Sequence, residues 1–326
     1  MSPTLEDALD RLRVVSIPMA VRFRGVSERE VALFAHEDAT RWSEWSPFLE
    51  YEPAEAAVWL SAALSTETPP APQRMRVPVN ATLPAVEASR APDVLARYGL
   101  WRTVKIKVAE RGQSLDDDLA RVRTVREAHP DARIRIDANG GWDVDQAERA
   151  LRALAVFGIE YAEQPVPTVE ELSQLRRRYD AIPIAADESI RKAEDPIRVA
   201  RMGAADVIVV KAQPLGGVRR ALEVIGEAGL PAVVSSALET SVGLAEGVAL
   251  AAALDSLPYD CGLATGALLA GDVTDERLLP TWDGTAAVLP VFSPAVSERH
   301  VEEFAATADR VEHWRERLRA AWQHIR

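Results

Sequence analysis

Short apolar runs alternate with longer amphipathic segments over most of the chain, from about residue 77 to residue 263. Segments of helical periodicity lie between the runs, and this alternation favours parallel strands joined by right-handed crossovers. The runs predict eight strands, near Val77–Ala81, Thr103–Val108, Arg133–Asp137, Ile159–Glu163, Ile182–Asp187, Asp206–Lys211, Ala232–Ser235 and Asp260–Leu263. Eight such units predict a closed α/β barrel of the TIM type in preference to an open sheet.

The regions on either side of the barrel follow other patterns. They predict strands at Arg13–Pro18 and Val21–Phe23, a strand or short helix at Glu28–Ala35, an aromatic-rich loop at 42–48, a helix at Pro53–Leu64, a loop-like stretch at 264–290 and one or two amphipathic helices at Ser297–Ile325. A proline-rich segment at residues 66–73 marks a domain boundary. We therefore expect a smaller N-terminal unit ahead of the barrel.

Composition and charge restrict the class of protein and its partners. A hydrophobic content of 48% and a charged content of 27% are typical of a soluble globular chain. The formal net charge of −12 argues against nucleic acid or an anionic membrane as the main partner. The single cysteine, Cys261, excludes an intramolecular disulfide and suits a reducing compartment. The first residues lack the pattern of a signal peptide, so we expect a cytoplasmic protein.

Charged side chains recur at the ends of successive predicted strands. Lys107, Asp137, Glu163, Asp187 and Lys211 follow one another at intervals of 30, 26, 24 and 24 residues. In a barrel of this kind, active sites form at the carboxyl ends of the strands. The five side chains are therefore predicted to project into one cup at the barrel mouth.

Lysine is rare in this chain, and its positions are informative. Only four of the 38 Lys and Arg residues are lysines, and Lys105, Lys107 and Lys211 all fall at predicted strand ends. Arginine keeps its proton in proteins, whereas the pKa of lysine can be tuned so that it exchanges one. The five histidines fall outside the predicted strand ends. A lysine is therefore the expected general base.

Three carboxylates in one cup repel one another and require a compensating charge. An all-oxygen ligand set suits a hard divalent cation such as Mg²⁺, Mn²⁺ or Ca²⁺. A cation together with a lysine suits removal of a proton next to a carboxylate, because the cation neutralises the enediolate that forms. The pattern thus predicts metal-assisted proton abstraction.

Five motifs, occurring in order, together resemble the enolase superfamily and in particular its muconate-lactonising subgroup: KIK, RIDANGGW, EYAEQPV, AADESI and VVKAQPLGG. The resemblance implies an α/β fold, a modified (β/α)₇β TIM-like barrel with a short α+β capping domain. By this resemblance residues 1–76 form the cap, the C-terminal segment 290–326 completes it, and residues 77–289 form the catalytic barrel.

The resemblance also implies roles for individual residues. It implies an Mg²⁺ site, with Mn²⁺ as a possible substitute, formed by three carboxylates: Asp137, Glu163 and Asp187. Lys107 and Lys211 would face each other across the substrate, and Lys105 would tune Lys107 electrostatically. Asn139 would support the metal ligands without itself binding the metal.

Three further stretches, SEWSPFLEYEP, SSALETSVG and GLATG, are similar to the o-succinylbenzoate synthase family within that superfamily. The implied reaction is dehydration of 2-succinyl-6-hydroxy-2,4-cyclohexadiene-1-carboxylate in menaquinone biosynthesis, by proton abstraction at Lys107 and syn elimination through a metal-stabilised enediolate. Arg41-Trp42-Ser43-Glu44 departs from the Gly-Trp-Gly-Glu pattern usual in that family. Substrate contacts are expected from six residues: Ser235, Ser236, Gly262, Leu263, Phe23 and Arg24.

Other reactions use the same template. Two facing lysines suit an N-acylamino acid racemase or a dipeptide epimerase, and a muconate-type cycloisomerase is a third possibility. Dipeptide epimerases often carry an Asp-x-Asp pair near the last strand, and Asp255 and Asp260 do not form one. A non-catalytic binding barrel ranks last because its acid–base residues would be expected to erode. The expected partner is a small-molecule carboxylate, and the oligomeric state is left open.

Overall fold

The computed structural model describes residues 3–23, 25–36, 41–190 and 195–325. The strands are β1 (Leu12–Phe23), β2 (Val26–Ala35), β3 (Trp42–Trp45), β4 (Arg76–Pro78), β5 (Ala81–Leu83), β6 (Thr103–Lys107), β7 (Arg133–Asp137), β8 (Ile159–Glu163), β9 (Ile184–Ala186), β10 (Val207–Val210), β11 (Ala232–Val234), β12 (Thr281–Trp282) and β13 (Ala287–Pro290). The helices are α1 (Leu5–Arg11), α2 (Pro53–Leu64), α3 (Ala91–Ala96), α4 (Leu115–Ala128), α5 (Val144–Leu154), α6 (Val169–Arg178), α7 (Asp195–Arg201), α8 (Val218–Ala228), α9 (Ser241–Ala253), α10 (Glu298–Glu303) and α11 (Ala308–Trp322).

Seven parallel strands form the central sheet, in the order β11-β10-β9-β8-β7-β6-β5. Short bridges join the two edges of this sheet through one segment, since Cys261 pairs with Val79 and Gly262 pairs with Ser235. The sheet thereby closes on itself, and the predicted α/β barrel is confirmed. Among the described residues no helix is both long and apolar enough to cross a bilayer.

Local sequence explains why strands and helices alternate here. The strand β10 is an unbroken run of buried valine and isoleucine, as expected for a parallel strand covered on both faces. Helices α4, α5 and α6 each begin with a capping box, at Ser114, Asp143 and Thr168 respectively. A capping box satisfies backbone N–H groups that have no partner in the first helical turn. The capping side chain therefore defines the residue at which each helix begins.

The first and last predicted barrel strands differ from the structure. A single strand over Val77–Ala81 was wrong, because the chain changes sheets there: β4 pairs with β13, and β5 enters the barrel. Pro78 cannot donate a backbone hydrogen bond, and Val79 donates instead to Ala287 at 2.8 Å. The predicted strand over 260–263 is reduced to the two isolated bridges that close the barrel.

The N-terminal prediction was also too fragmented. Arg13–Pro18 and Val21–Phe23 belong to one long strand, β1, whose pairing with β2 becomes irregular between Pro18 and Phe23. The aromatic-rich loop begins as strand β3, and the loop-like stretch 264–290 contains β12 and β13. β3 and β12 are strands because they form antiparallel pairs with β2 and β13, and β13 also pairs with the distant β4, a pairing that local periodicity does not reveal.

The C-terminal helix packs on the N-terminal sheet. Trp314 of α11 meets Trp45 of β3 edge to face, with ring centroids 5.3 Å apart. Glu30 of β2 accepts hydrogen bonds from Trp314 Nε1 at 2.8 Å and from Arg310 at 2.6 Å. Both tryptophan side chains are fully buried. The two ends of the chain therefore share one apolar core beside the barrel.

We expect Trp314→Ala to lower the free energy of unfolding by about 3–5 kcal/mol, because it removes a fully buried aromatic ring and leaves a cavity. The measurement is equilibrium unfolding in urea. Trp282→Ala is the matched control, since Trp282 is 40% exposed, and it should change the free energy by less than about 0.5 kcal/mol. Equal losses in the two variants would contradict a shared core between the chain ends.

Candidate active site

The charged residues singled out in the sequence lie at five neighbouring strand ends. Lys107 and Asp137 are the last residues of β6 and β7 and are register partners. Glu163 ends β8 and is the register partner of Asp137. Asp187 and Lys211 each follow directly on β9 and β10. The barrel therefore brings together the side chains that are 24 to 30 residues apart in sequence.

Lysine ammonium groups pair with carboxylates across this mouth. Lys105 Nζ lies 2.9 Å from Asp137 Oδ2 and 2.6 Å from Glu163 Oε1. Lys107 Nζ lies 2.5 Å from Asp137 Oδ2. Lys211 Nζ pairs with Asp187 Oδ1. The result is a nearly continuous row of buried ion pairs, in which charged groups compensate one another in a region of low dielectric.

The surroundings shift the pKa values of this row in opposite directions. Burial alone would raise the pKa of Asp137, but Lys105 and Lys107 outweigh it and hold this pKa below its ordinary value. Burial and the neighbouring Asp137 raise the pKa of Glu163, and Asp187 adds to the effect. Burial opposes the charge of Lys211, yet Asp187 raises the pKa of Lys211. Negative charge is thus least well compensated at Glu163.

A divalent cation fits the donors at this point. Glu163 Oε2 is buried and has no hydrogen-bond partner, and the neighbouring ligands are carboxylate oxygens, which hard cations prefer. No three His, Cys, Asp or Glu side chains in the described ranges are already gathered as a metal cage, because ammonium groups hold several of the oxygens. The chemistry of these oxygen donors therefore fits a cation. In this structure the lysine ammonium groups balance the charge of the carboxylates.

Asn139 lies beside the lysine end of the row. Its Oδ1 accepts a hydrogen bond from Lys107 Nζ at 2.5 Å, and its Nδ2 donates to Glu188 Oε1 at 2.8 Å. Its backbone N–H donates to Asp137 Oδ1 at 3.1 Å. The side-chain amide of Asn139 therefore orients Lys107, and its backbone N–H orients the carboxylate of Asp137.

A small cavity of about 40 Å³, enough for a few water molecules, is lined by the three lysines and by Asp137, Asp187 and Asn139, whereas Glu163 does not line it. It adjoins a larger cavity of about 530 Å³, since Phe48, Asp187, Lys211 and Ala237 line both. Cap residues such as Tyr51 and Trp59 supply apolar walls to the larger one. Charged groups thus meet an apolar compartment at Lys211.

Four of the six predicted substrate contacts line the small cavity: Phe23, Ser235, Ser236 and Gly262. Lys107 Nζ lies 5.4 Å from the centre of the Phe23 ring. Leu263 is fully buried and does not line that cavity. Its side chain packs against α9 instead, where a Cβ on Gly247 would lie 2.7 Å from Leu263 Cδ2. Arg24 lies outside the described residues.

Backbone strain is concentrated at the same mouth. In the described ranges, the non-glycine residues with positive φ are Ala109, Asn139, Gln164 and Leu238. Each follows within a few residues the end of a barrel strand: β6, β7, β8 and β11 respectively. Left-handed backbone costs a residue with a Cβ about 1–2 kcal/mol. The fold therefore tolerates strain where the candidate groups must be aimed inward.

Several residues that support the site were not found by sequence analysis. Gln164 Oε1 accepts hydrogen bonds from the backbone N–H groups of Asp187 at 3.0 Å and Ser189 at 3.1 Å, which ties together the ends of β8 and β9. Thr82 and Thr265 also line the cavity. The available signal for Gln164 was its position directly after Glu163, but a neutral amide does not stand out in a charge pattern.

The cap is joined to the barrel by two buried charged residues. Arg29 of β2 donates to the carbonyls of Leu238 and Ala237, both at 3.2 Å, and to that of Ser46 in the cap. The carboxylate of Glu44 accepts hydrogen bonds from Thr240 N at 3.0 Å, at the start of α9.

Burial and the nearby Glu239 raise the pKa of Glu44 to about 8. The departing motif Arg41-Trp42-Ser43-Glu44 thus keeps Glu44, whose side chain contacts the start of α9.

Comparison with known proteins agrees with this geometry. The family model described as Enolase C-terminal domain-like matches residues 87–289, and the model described as Enolase N-terminal domain-like matches residues 14–66. Among solved structures, a muconate lactonizing enzyme from Pseudomonas fluorescens superposes with a TM-score of 0.76 at 21% identity, covering 91% of this chain and 98% of that one. This likeness shows the shared barrel-and-cap fold.

Relatives at higher identity show which family of the superfamily the chain resembles most. An o-succinylbenzoate synthase from Mycolicibacterium smegmatis is 53% identical over 320 residues, which cover 97% of this chain and 96% of that protein. One from Thermobifida fusca is 53% identical over 319 residues, covering 96% of this chain and 97% of that protein. Members of the superfamily generally use a divalent metal. The chain therefore belongs to the o-succinylbenzoate synthase family of the enolase superfamily.

Proposed function

We propose that this chain dehydrates 2-succinyl-6-hydroxy-2,4-cyclohexadiene-1-carboxylate to o-succinylbenzoate, with Lys107 as the base. The observation that carries the assignment of roles is one cavity lined by Lys107 and Lys211 together with the carboxylates of Asp137 and Asp187. Two groups that can donate or accept a proton thus line one space, next to carboxylate oxygens. Relatives that are 53% identical over nearly the whole chain carry the name of this activity.

Lys107 performs both proton transfers in this scheme. As a neutral amine it takes the proton from the carbon next to the substrate carboxylate. The ammonium that results donates the same proton to the hydroxyl group leaving from the same face of the ring, so that one water departs and the ring becomes aromatic. A single positioned group can serve first as base and then as acid, because the proton that it takes from the carbon leaves again with the departing water.

Lys211 and Lys105 contribute charge in this scheme. Asp187 raises the pKa of Lys211, so Lys211 remains an ammonium group and stabilises negative charge on the substrate carboxylate. Lys105 lies between Asp137 and Glu163 and offsets their repulsion. Arginine would supply the same charge with a larger, planar group that fits a different geometry.

Mg²⁺ is the proposed cofactor, with Mn²⁺ as a substitute, held by Asp137, Glu163 and Asp187. The chemistry that such a cation supplies is neutralisation of the negative charge that gathers on the substrate carboxylate as its neighbouring proton leaves. The partnerless, buried Glu163 Oε2 supports this assignment.

Residues 1–76 and 290–326 are proposed to act together as the cap over a catalytic barrel of residues 77–289. The shared core of Trp45 and Trp314 supports this division. Within the cavity, Ser235, Ser236 and Gly262 are proposed to contact the small-molecule carboxylate substrate. Gly262 has no room for a side chain, since a Cβ there would lie 2.6 Å from Ser235 Oγ.

We expect Lys107→Arg to lower kcat by about 10²- to 10⁴-fold, because arginine does not give up its proton and general acid–base catalysis contributes about this much. The measurement is the loss of one water from the cyclohexadiene substrate, followed by mass spectrometry. The control is Arg152→Lys, which exchanges the same two residue types at an exposed ion pair on α5 and should leave kcat unchanged. Full dehydration by Lys107→Arg would refute its role as base.

Chelation of divalent metal with EDTA is expected to abolish dehydration, and added Mg²⁺ is expected to restore it. Glu163→Gln should weaken Mg²⁺ binding in calorimetry by at least about 10-fold, because it removes a charged oxygen ligand from a buried position. Glu170→Gln is the control, since Glu170 lies exposed on α6. Equal Mg²⁺ affinity in the wild type and in Glu163→Gln would exclude Glu163 from the site.

A further inference from the structure

A buried ion pair on helix α4 contacts the backbone of the strand end that carries Lys107. Asp118 and Arg121 are each 1% exposed, and Arg121 Nη1 donates to Asp118 Oδ1 at 2.9 Å. The same nitrogen donates to the carbonyl of Lys107 at 2.8 Å. Asp118 Oδ2 accepts from the N–H of Ala109 at 2.9 Å. The pair therefore holds two backbone groups on either side of Val108.

These contacts arise where the strand's own hydrogen bonds end. Val108 N still donates to Asp137 O at 3.0 Å, as part of the pairing with β7. Beyond it, Ala109 has a φ of 59°, and its N–H and the carbonyl of Lys107 bond to side chains of α4. Buried backbone groups without partners are costly. Asp118 and Arg121 supply those partners from the helix side.

The turn itself has little freedom to relax. A Cβ on Gly141 would lie 2.8 Å from the carbonyl oxygen of Ala109, so the next strand's loop packs directly against this backbone. Arg121 also donates to the carbonyl of Val86 at 2.6 Å and to the side chain of Gln113. Several acceptors therefore fix the guanidinium of Arg121, which in turn fixes the backbone carbonyl of Lys107 by a hydrogen bond.

Stability alone is a weak reason for such a pair. Removing two charges from water is costly, and apolar side chains of similar volume often replace a buried ion pair with no loss of stability. Burial raises the pKa of Asp118, which reflects that cost. Directional contact with two specified backbone groups is something that apolar packing does not provide.

We infer that Asp118 and Arg121 are positioning residues for the reaction: they fix the end of β6 so that Lys107 Nζ is aimed into the cavity. The inference rests on the proposed function of Lys107 as the base. A reacting group displaced by about 1 Å loses about 10²-fold in rate. Weakening the hydrogen bonds of Asp118 and Arg121 to this backbone should therefore slow proton abstraction without removing any group that contacts the substrate.

A second, more exposed Asp–Arg pair offers a control at the opposite end of the barrel. Asp206 accepts from Arg176 Nε at 3.1 Å and from the backbone N–H of Ile184 at 3.0 Å. It thus joins a helix to a strand in the same way as Asp118, but at the amino end of β9 and β10. Asp118→Asn and Asp206→Asn each remove one charge and keep the shape of the side chain.

The test compares the two variants with the wild type, all loaded with Mg²⁺ and assayed well below the lower melting temperature. Asp118→Asn is expected to lower kcat about 10- to 100-fold with KM within twofold, and to increase the kinetic isotope effect for substrate deuterated at the carbon that loses its proton. Asp206→Asn is expected to leave all three quantities unchanged. Wild-type kcat and isotope effect in Asp118→Asn would overturn the inference.

Arg121→Lys gives an independent variant should Asp118→Asn fail to fold, since it keeps the charge and loses the planar fork of donors. The same 10- to 100-fold fall in kcat is expected, and an unchanged kcat would overturn the inference.

A substrate-free measurement separates this inference from the proposed function. The chain has four lysines, so protein labelled with [ε-¹³C]lysine gives four NMR signals, and Lys107→Arg identifies one of them. Asp118→Asn should shift or broaden the Lys107 signal, whereas Asp206→Asn should not. If the wild type fails to dehydrate the substrate while this shift is seen, the proposed function fails and the positioning role stands. An unmoved Lys107 signal overturns the positioning role.

Discussion

Compensation of charge at the barrel mouth is the constraint on which the rest of the structure depends. Parallel register places Asp137 directly beside Glu163, and neither group can move away from the other without breaking the sheet. Lys105 lies between them, and Lys107 and Lys211 bind the outer carboxylates. Because all of these groups are removed from water, each charge must have a partner close by.

Holding that arrangement requires supports around it. Left-handed residues follow the strand ends, and buried polar side chains hold the backbone there: Gln164 contacts the start of the Asp187 loop, and Arg121 contacts the carbonyl of Lys107. Each supporting group lies outside the cavity, on the side of the helices. The strands thus fix where each charged side chain begins, and the strained turns after them fix the direction in which it projects.

The charged row and the cap form different parts of the site. Charged residues at the ends of β6, β7, β9 and β10 line the small cavity, and a muconate lactonizing enzyme shares the barrel-and-cap fold around it. A wall formed by the cap and by the segment after β11 bounds the cavities. Arg29 joins the two sides of that wall through the carbonyls of Ser46 and Leu238, so cap and barrel are not independent in shaping it.

The sequence alone determined the barrel, the order of its charged strand ends and the chemistry they suit, because strand–helix periodicity and the positions of its few lysines can be read directly along the chain. Helix α2 over Pro53–Leu64 was predicted to the residue. Only the tertiary structure decided the rest. Contacts between segments far apart in sequence separate β4 from β5 and bury Leu263 behind the cavity. Such contacts also give Gln164, Arg29 and Arg121 their hydrogen-bond partners. Periodicity and motif spacing do not record them.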